Sequence, residues 1–213
     1  MSATAPDAPP IRVLIVDDHP ILREGVAAII ALQSDMAIVG EAAGGREAIA
    51  QYAALRPDVV LMDLQMPDLT GVEAIAAIRA DHPDARVIVL TTYAGDAKAL
   101  AAMRAGAAGF LLKSSLRREL LGAIRAVHKG QRHLHADVAQ DIALHAIHEP
   151  LTGREIEVLQ LIAGGHPNKQ IAWRLGVGEE TVKSNIKSIF AKLQVSDRTH
   201  AVTTAARRGI IEL

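Results

Sequence analysis

The sequence predicts an α/β fold, a doubly wound sheet of five parallel strands, followed by a small all-α domain. Short segments of β-branched and other apolar residues alternate with longer stretches in which apolar residues recur at helical spacing. After about residue 150 the strand pattern stops and only helical spacing remains. Short, almost wholly apolar strands separated by helices are typical of a parallel sheet that is covered on both faces.

Five runs of sequence provide the predicted strands. They are IRVLIV at 11–16, MAIVGE at 36–41, VVLM at 59–62, RVIVL at 86–90 and GFLL at 109–112. Between them, spacings such as that of Val72, Ile75 and Ile78 predict helices. Residues 1–10 precede this pattern, lack the basic start and apolar stretch of a signal peptide, and are expected to be a disordered tail.

Charge is distributed unevenly along the chain. Residues 1–150 contain 14 basic and 18 acidic side chains, whereas the remainder contains 9 basic and 6 acidic ones. A basic C-terminal part suits a surface that faces nucleic acid, although it is also common on an ordinary solvated surface. The chain has no cysteine for disulfides or thiolate metal sites, and no apolar run approaches the length of a membrane span. We therefore expect a cytoplasmic protein without a membrane partner.

Polar residues follow four of the predicted strands at the points where these strands end. They are Asp17 and Asp18 after the first strand, Asp63 after the third, Thr91 after the fourth and Lys113 after the fifth. The strands of a parallel sheet point the same way, so these ends share the edge at which open α/β sheets bind ligands. The sequence therefore predicts a binding site at this edge.

The charges at this edge predict its chemistry. Three crowded carboxylates repel one another unless a cation lies among them, and Mg²⁺ prefers such oxygen ligands together with water and phosphate oxygens. A phosphoryl group is therefore implied, with Lys113 and Thr91 as partners for its oxygens and one carboxylate as the nucleophile. Asp63 is the best candidate nucleophile, because it stands alone at the end of a central strand before a turn at Met66 and Pro67.

Each of these residues also has an ordinary structural interpretation. Asp18 is a candidate N-cap for the next helix, because Pro20 suits a first helical turn. Thr91 and Lys113, taken singly, are common loop or surface residues. The functional interpretation depends on the convergence of all five polar positions at one edge.

The segments DDHPILREG, VVLMDLQMPDLTG, VIVLTTY and GAAGFLLKS resemble the flavodoxin-like receiver domain of two-component response regulators over residues 11–130. The resemblance implies that Asp63 accepts a phosphoryl group from a phosphohistidine of a sensor histidine kinase. The implied site residues are Asp17, Asp18, Asp63 and the backbone carbonyl of Gln65 as ligands of Mg²⁺, with Thr91 and Lys113 as phosphoryl contacts. Phe110 occupies the position of the family's switch aromatic, where a tyrosine is often found, so switching with Thr91 is expected without a hydroxyl contact.

Residues 150–213 carry helical patterns only. LTGREIEVL opens with a capping box, in which Thr152 accepts from the amide three residues on and Glu155 reaches back. NKQIAWRLGVGEETVKSNIKSIFAKL then predicts two helices joined by a turn at 176–178. The second helix, at 179–193, has an apolar face and an opposite polar face that holds Lys183, Ser184, Lys187 and Ser188.

A polar face with two lysines one turn apart and no acid suits the major groove of double-stranded DNA. It is also typical of a helix face that is merely exposed to solvent. Trp173 and Phe190 fall at apolar spacing, so we expect both in the core and no stacking of single-stranded bases on them.

The motifs LTGREIEVL, NKQIA, TVKSNI and IFAKL resemble the LuxR-type helix-turn-helix domain, and nearly the whole chain is similar to the NarL/FixJ class of response regulators. The resemblance implies a recognition helix at about 180–193, with Lys183, Ser184 and Lys187 facing DNA. Asn185 stands where the family usually has histidine, so the resemblance does not imply the backbone contact of that position. Gly178 stands where a serine or threonine commonly caps the helix, a change of a few tenths of a kcal/mol.

The resemblance also implies a homodimer, formed when the protein is phosphorylated or bound to DNA. The expected interface is the last helix, at 198–208, whose small apolar face is equally suited to the core of the domain. That face consists of Ala201, Val202, Ala205 and Ala206.

The segment between the two domains, at 131–149, is expected to be a partly helical linker. Five of the nine histidines lie in or just before it, namely His128, His133, His135, His145 and His148. Histidines bind transition metals and titrate near neutral pH. Without a nearby cysteine or tight carboxylate cluster, we expect an amphipathic linker helix here and not a metal or pH-sensing site.

Two other functions fit part of the pattern. A phosphatase or phosphotransferase similar to the haloacid dehalogenases would also use Asp63 as nucleophile, but it would usually place a second aspartate where this chain has Gln65. A regulator that binds DNA constitutively would carry a vestigial acidic site. Our main prediction is a transcription regulator that is switched by phosphorylation of Asp63 and catalyses only its own phosphoryl transfer and dephosphorylation.

Overall fold

The computed structural model describes residues 9–92, 96–134, 139, 149 and 151–211. They form two compact units, one built on a β-sheet and one built from the C-terminal helices. Most of the expected N-terminal tail lies outside the described residues, as do His135, His145 and His148 of the expected linker helix. Within the described residues, no helix combines the length and the hydropathy that a bilayer crossing requires.

The first unit is a six-stranded parallel sheet with helices between its strands. The strands are β1 Ile11–Val16, β2 Met36–Ala42, β3 Val59–Asp63, β4 Val87–Thr91, β5 Gly109–Leu112 and β6 His133–Leu134. They lie in the order β2-β1-β3-β4-β5-β6, and every pair is parallel. The helices are α1 Pro20–Ala31, α2 Gly45–Leu55, α3 Gly71–Asp81, α4 Asp96–Arg104 and α5 Leu116–His128, with a 3-10 turn at Lys113–Ser115 before α5.

The five predicted strands and the doubly wound α/β class are confirmed, and one strand was missed. β6 consists of two residues that pair with the edge of β5, Gly109 with His133 and Phe110 with Leu134. A two-residue strand is too short to show alternation or an apolar run, so the sequence pattern does not reveal it. β6 lies within the segment that we expected to be the linker.

The core of this unit lies on both faces of the sheet. Alternate residues of the central strands, such as Ile15 and Leu61, pack with the inner faces of α1 and α5. Their neighbours along the strands point to the opposite face, where α2 and α3 pack against each other. Residues 13–16, 59–62 and 87–90 are therefore buried throughout, which explains their almost wholly apolar sequence.

The second unit is a helical bundle. Its helices are α6 Gly153–Ala163, α7 Asn168–Leu175, α8 Glu179–Leu193 and α9 Arg198–Arg207. The predicted capping box is confirmed at Thr152 and Glu155. The turn between α7 and α8 is also confirmed, and it begins at Gly176 with a φ of 64°, a left-handed conformation that favours glycine.

One prediction about this unit needs correction. Trp173 is 82% exposed and lies outside the core. α7 buries Ile171 and Ala172, and the next residue along a helix is rotated by about 100°, which turns Trp173 away from the bundle. Phe190 is half-buried and packs against the core as expected.

The apolar face of the last helix is largely internal. Ala201 and Ala205 are fully buried in the bundle, and Val202 and Ala206 are half-buried against it. Of the two roles that we considered for this face, the core role accounts for its apolar character.

Candidate functional site

The point where the strand order reverses brings two aspartates together. β1 and β3 are neighbours in the sheet, although α1, β2 and α2 lie between them in sequence. Asp17 follows the last residue of β1, and Asp63 is the last residue of β3. Asp17 has no exposed surface and Asp63 is 3% exposed. The carboxyl edge of an open α/β sheet at such a switch point is a usual place for ligand binding.

Lys113 joins these two carboxylates. Its Nζ lies 2.7 Å from Asp17 Oδ2 and 3.1 Å from Asp63 Oδ2. The lysine begins the 3-10 turn directly after β5, so it reaches the pocket from two strands beyond Asp63. The amide of Leu64 also donates to Asp63 Oδ1, at 2.8 Å.

Asp18 and His19 form the more exposed side of the pocket. Asp18 Oδ1 lies 2.7 Å from His19 Nδ1, which is an ion pair when the imidazole is protonated. Asp18 is not the N-cap that the ordinary interpretation suggested, because His19 occupies that position and Pro20 begins α1. Instead, Asp17 Oδ1 accepts the backbone N–H of His19 at 2.9 Å. The sequence reasoning missed His19, although its position next to the aspartate pair would have identified it.

Burial and charge perturb the two central ionisable groups. Burial, helped by the nearby negative charge of Asp17, raises the pKa of Asp63 above its ordinary value, and the opposing effect of Lys113 does not cancel this. Burial works against the charged form of Lys113. Its contacts with Asp17 and Asp63 nevertheless outweigh this and raise the pKa of the ammonium group. The pocket therefore favours the charged form of Lys113 and disfavours the ionised form of Asp63.

The pocket has the donor set of a hard divalent cation. Ligand atoms of Asp17, Asp18, His19 and Asp63 all lie within 4.8 Å of one another. Asp18 Oδ1 is buried, and the His19 ring 2.7 Å away approaches it without the geometry of a hydrogen bond. Three carboxylates against one ammonium group leave excess negative charge, and oxygen ligands suit Mg²⁺. The residues therefore fit a metal ion at this position.

Thr91 and Gln65 also lie at this edge, and Phe110 lies within β5, two residues before the end of the strand. Thr91 is the last residue of β4 and is 8% exposed, and Phe110 is buried in the neighbouring β5. Gln65 is exposed in the loop after β3, and its backbone N–H donates a hydrogen bond to the Asp63 carboxylate. The structure therefore gathers the predicted residues of the acidic site around the ends of β1, β3, β4 and β5, with Phe110 two residues before the end of β5.

A loop contact holds the segment after Asp63 in place. Asp68 accepts the backbone N–H groups of Gly45 and Arg46, both at 3.0 Å, at the start of α2. These bonds lower the pKa of the Asp68 carboxyl. The loop that carries Gln65 is thus tied to a helix N-terminus, which favours a negative charge.

A second candidate site is the exposed face of α8. Lys183, Ser184 and Lys187 are all exposed, as the sequence predicted. Ser188, the fourth residue of the predicted polar face, instead donates to Glu155 Oε1 at 2.5 Å and faces the domain. Asn185 donates to the carbonyl oxygen of Thr181 at 2.8 Å, so its amide is engaged by its own helix.

Glu155 anchors this helix to the start of α6. Its carboxylate accepts hydrogen bonds from outside its own residue. The donors include Ser188 Oγ, Lys192 Nζ at 3.0 Å and the backbone N–H of Thr152 at 2.6 Å. Burial opposes the charged form, but these bonds outweigh it and lower the pKa of Glu155 to about 2. Sequence reasoning recognised the capping role of Glu155 and missed its contacts with α8, because those partners are more than 30 residues away.

The fold and the pocket define an α/β protein of the receiver type that carries a helix-turn-helix domain. Residues 13–125 match the model of the response regulator receiver domain, and residues 149–205 match that of the bacterial regulatory proteins of the luxR family. The chain therefore belongs to the response regulators with a LuxR-type DNA-binding domain.

Similar proteins cover almost the whole chain. The transcriptional regulatory proteins YxjL and LiaR of Bacillus subtilis (strain 168) are each 41% identical to it, over 95% and 94% of this chain and 98% and 99% of their own length. A solved complex of the two-component response regulator RcsB with DNA is 27% identical, with a TM-score of 0.70, over 93% of this chain and 98% of that chain. The family is one of transcription regulators and not of classical enzymes.

Proposed function

We propose that the chain is a transcription regulator whose activity is switched by phosphorylation of Asp63. The donor is a phosphohistidine of a cognate sensor histidine kinase, and the target is double-stranded promoter DNA. The observation that carries the proposal is the bridge from Lys113 to Asp17 and Asp63 in a buried pocket at the switch point of the sheet. A paired-carboxylate pocket of this kind suits phosphoryl transfer, which depends mainly on positioning and charge.

The residues of the pocket have separate roles in this proposal. The Asp63 carboxylate is the nucleophile that attacks phosphorus. The ligands of Mg²⁺ are Asp17, Asp18, Asp63 and the backbone carbonyl of Gln65. When bound, Mg²⁺ neutralises charge on the phosphoryl oxygens. Lys113 contacts one phosphoryl oxygen through its ammonium group, and Thr91 donates its hydroxyl to another.

The new phosphoryl group changes the contacts of Thr91 and Lys113 and so biases a two-state element. Thr91 moves toward the phosphoryl group, and Phe110 turns into the space that this movement leaves. Phe110 has no hydroxyl, so its part in the switch is one of packing alone.

The proposal extends to the organisation of the chain. Residues 1–10 are a tail, 11–130 the receiver domain, 131–149 a linker and 150–213 the DNA-binding domain. In the DNA-binding domain, Lys183, Ser184 and Lys187 face the major groove, supported by their exposure on α8 and by the likeness to RcsB in its DNA complex. Phosphorylation or DNA binding favours a homodimer, and promoter binding implies a cytoplasmic location.

The phosphoacceptor is tested by incubating the full chain with acetyl phosphate and Mg²⁺ and measuring phosphoryl incorporation by intact mass. We expect one phosphoryl group on the wild type and none on Asp63→Asn. Asp84→Asn is the matched control, because Asp84 is an exposed aspartate between α3 and β4. Chelation of Mg²⁺ should stop the reaction in both the wild type and the control. Incorporation into Asp63→Asn equal to that of the wild type would refute the assignment.

A further inference from the structure

Two opposite charges form a pair at the start of the exposed face of α8. Lys183 Nζ lies 2.6 Å from Glu180 Oε1, and the side chains are 53% and 86% exposed. Residues three apart lie on the same side of a helix, so the carboxylate shares the surface on which Lys183 was expected to face DNA. The sequence reasoning described this polar face as free of acids, and the structure corrects that description.

An acid at this position needs an explanation. A carboxylate on a DNA-facing surface repels phosphates and weakens binding by charge alone. An exposed ion pair contributes little to stability. The favourable interaction of an acid with the helix N-terminus is already available from Glu179, which lies in the same first turn. None of these effects requires a pair aligned with Lys183.

Recognition of a G·C base pair gives both charges of such a pair a role. In the major groove, cytosine presents its N4 amino group as a donor and guanine presents O6 and N7 as acceptors. A carboxylate accepts from the first and an ammonium group donates to the second. A carboxylate and an ammonium group side by side therefore match the donor and acceptors of a G·C base pair, and the first turns of a recognition helix are the part that meets base edges.

We propose that Glu180 is a specificity-determining residue that accepts a hydrogen bond from cytosine N4 in the major groove, while Lys183 donates to guanine. This inference rests on the proposed DNA-binding function of α8 and adds to it a preferred base. In free protein the two side chains hold each other in position. On DNA, Glu180 hydrogen-bonds to cytosine and Lys183 to guanine in place of each other. Neither charged side chain is therefore buried at the interface without a hydrogen-bond partner.

The test is selection of binding sites from a pool of double-stranded DNA with a randomised central region. The full chain is used in the presence of beryllofluoride and Mg²⁺. The wild type is expected to select cytosine at one position, with a discrimination of about tenfold. Glu180→Gln should shift the preference at that position toward adenine, because an amide pairs with adenine N6 and N7. It should also bind unrelated DNA more tightly, with a salt slope steeper by about one, because Lys183 is freed for phosphate.

Glu179→Gln is the matched control. Glu179 carries the same charge in the same helical turn and is exposed, and its charge acts on Lys183 less strongly than that of Glu180, which is hydrogen-bonded to the lysine. This variant should change the affinity for all DNA sequences alike and leave base preference unaltered. Thermal unfolding of both variants separates an effect on helix stability from an effect on recognition.

The outcomes distinguish this inference from the function on which it rests. If the wild type selects a site and Glu180→Gln selects the same site, Glu180 only repels DNA and the inference is wrong. A shift of base preference in Glu179→Gln equal to that in Glu180→Gln would also overturn it. If the wild type binds no member of the pool, the proposed DNA-binding function itself fails, and the inference fails with it.

Discussion

Asp63 is buried beside a second carboxylate, and both share the single ammonium group of Lys113. The pKa of Asp63 is raised, so the folded protein binds a proton there more tightly than the unfolded chain does. A raised carboxyl pKa means that ionisation destabilises the fold above that pKa, and that the penalty disappears at low pH. The arrangement that we propose for phosphoryl transfer therefore costs stability at neutral pH.

We predict that Asp63→Asn stabilises the protein at neutral pH, because it removes a buried charge and keeps the shape of the side chain. The melting temperature should rise by about 3 °C, the shift expected from roughly 1 kcal/mol in a chain of this size. Asp84→Asn, at an exposed carboxylate, should leave it unchanged. Thermal unfolding at neutral pH without metal ions measures both, and a lower melting temperature for Asp63→Asn would contradict this account of the pocket.

Glu155 shows the opposite behaviour, because its partners lower its pKa to about 2 from an ordinary value of 4.5. A lowered carboxyl pKa contributes stability that is complete above the ordinary pKa. This contribution is lost as the pH falls from about 4.5 to about 2.

We predict that Glu155→Gln lowers the free energy of unfolding of the DNA-binding domain by about 2 kcal/mol at neutral pH, because Lys192 loses its buried counter-charge. It should also remove much of the decline in stability between pH 4.5 and 2. Urea unfolding across this pH range is the measurement. Glu157→Gln, at an exposed pair with Arg154 on the same helix, should change the stability by less than about 1 kcal/mol. Equal losses in the two variants would rule out a special role for Glu155.

At the scale of secondary structure, the junction of β3 and α3 is the element that positions Asp63. Gly71 begins α3, and a Cβ atom on it would lie 2.0 Å from the carbonyl oxygen of Asp63. A Cβ atom cannot come that close to a carbonyl oxygen unless part of the backbone moves. The helix can therefore pack beside the end of β3 only because this residue is glycine.

We predict that Gly71→Ala lowers the free energy of unfolding by about 2–3 kcal/mol, since the added methyl group overlaps the backbone at the end of β3. It should also reduce phosphoryl incorporation, because Asp63 is displaced. Gly122→Ala is the control, since a Cβ there meets no atom within 4 Å in the middle of α5. That change should stabilise the protein by about 0.5–1 kcal/mol. Chemical unfolding of both variants decides the matter, and a stable Gly71→Ala would contradict the steric argument.

The sequence predicted secondary-structure elements well where the pattern of apolar residues is long. It predicted them poorly where contacts with residues distant in sequence determine the structure. The five main strands, the capping box at Thr152 and the turn at Gly176 all follow from local residues. β6 has only two residues and exists because β5 offers a free edge. The exposure of Trp173 depends on which side of α7 packs against the bundle. The spacing of apolar residues in a helix of only eight residues does not determine which side that is.

On the scale of the whole molecule, the two units carry different charge, an excess of acid in residues 1–150 and of base in 151–213. The split is a sequence property, and it predicted a nucleic-acid-facing C-terminal part. The individual charges were less predictable. Lys192 forms an ion pair with Glu155, and Lys183 forms one with Glu180. Only some of the basic side chains of this unit therefore lack an acidic partner within it.

We predict that Lys187→Ala weakens binding to all DNA sequences and reduces the slope of log affinity against log salt by about one, because one phosphate contact is lost. Lys129→Ala should have no effect, because this exposed lysine follows α5 in the receiver domain. Fluorescence anisotropy across a range of salt concentrations measures the slope. An unchanged slope for Lys187→Ala would exclude Lys187 from the DNA-binding surface.

The central claim is that the state of Asp63 controls DNA binding. The most direct test measures the DNA affinity of the full chain with and without beryllofluoride and Mg²⁺, in the wild type and in Asp63→Ala, on a DNA site selected from a randomised pool. A complete switch requires about 5.5 kcal/mol of differential stabilisation and a partial switch requires less. We predict an affinity increase of at least about tenfold in the wild type, about 1.4 kcal/mol, and none in the variant. The same response in both proteins would instead describe a DNA-binding protein that its acidic pocket does not control.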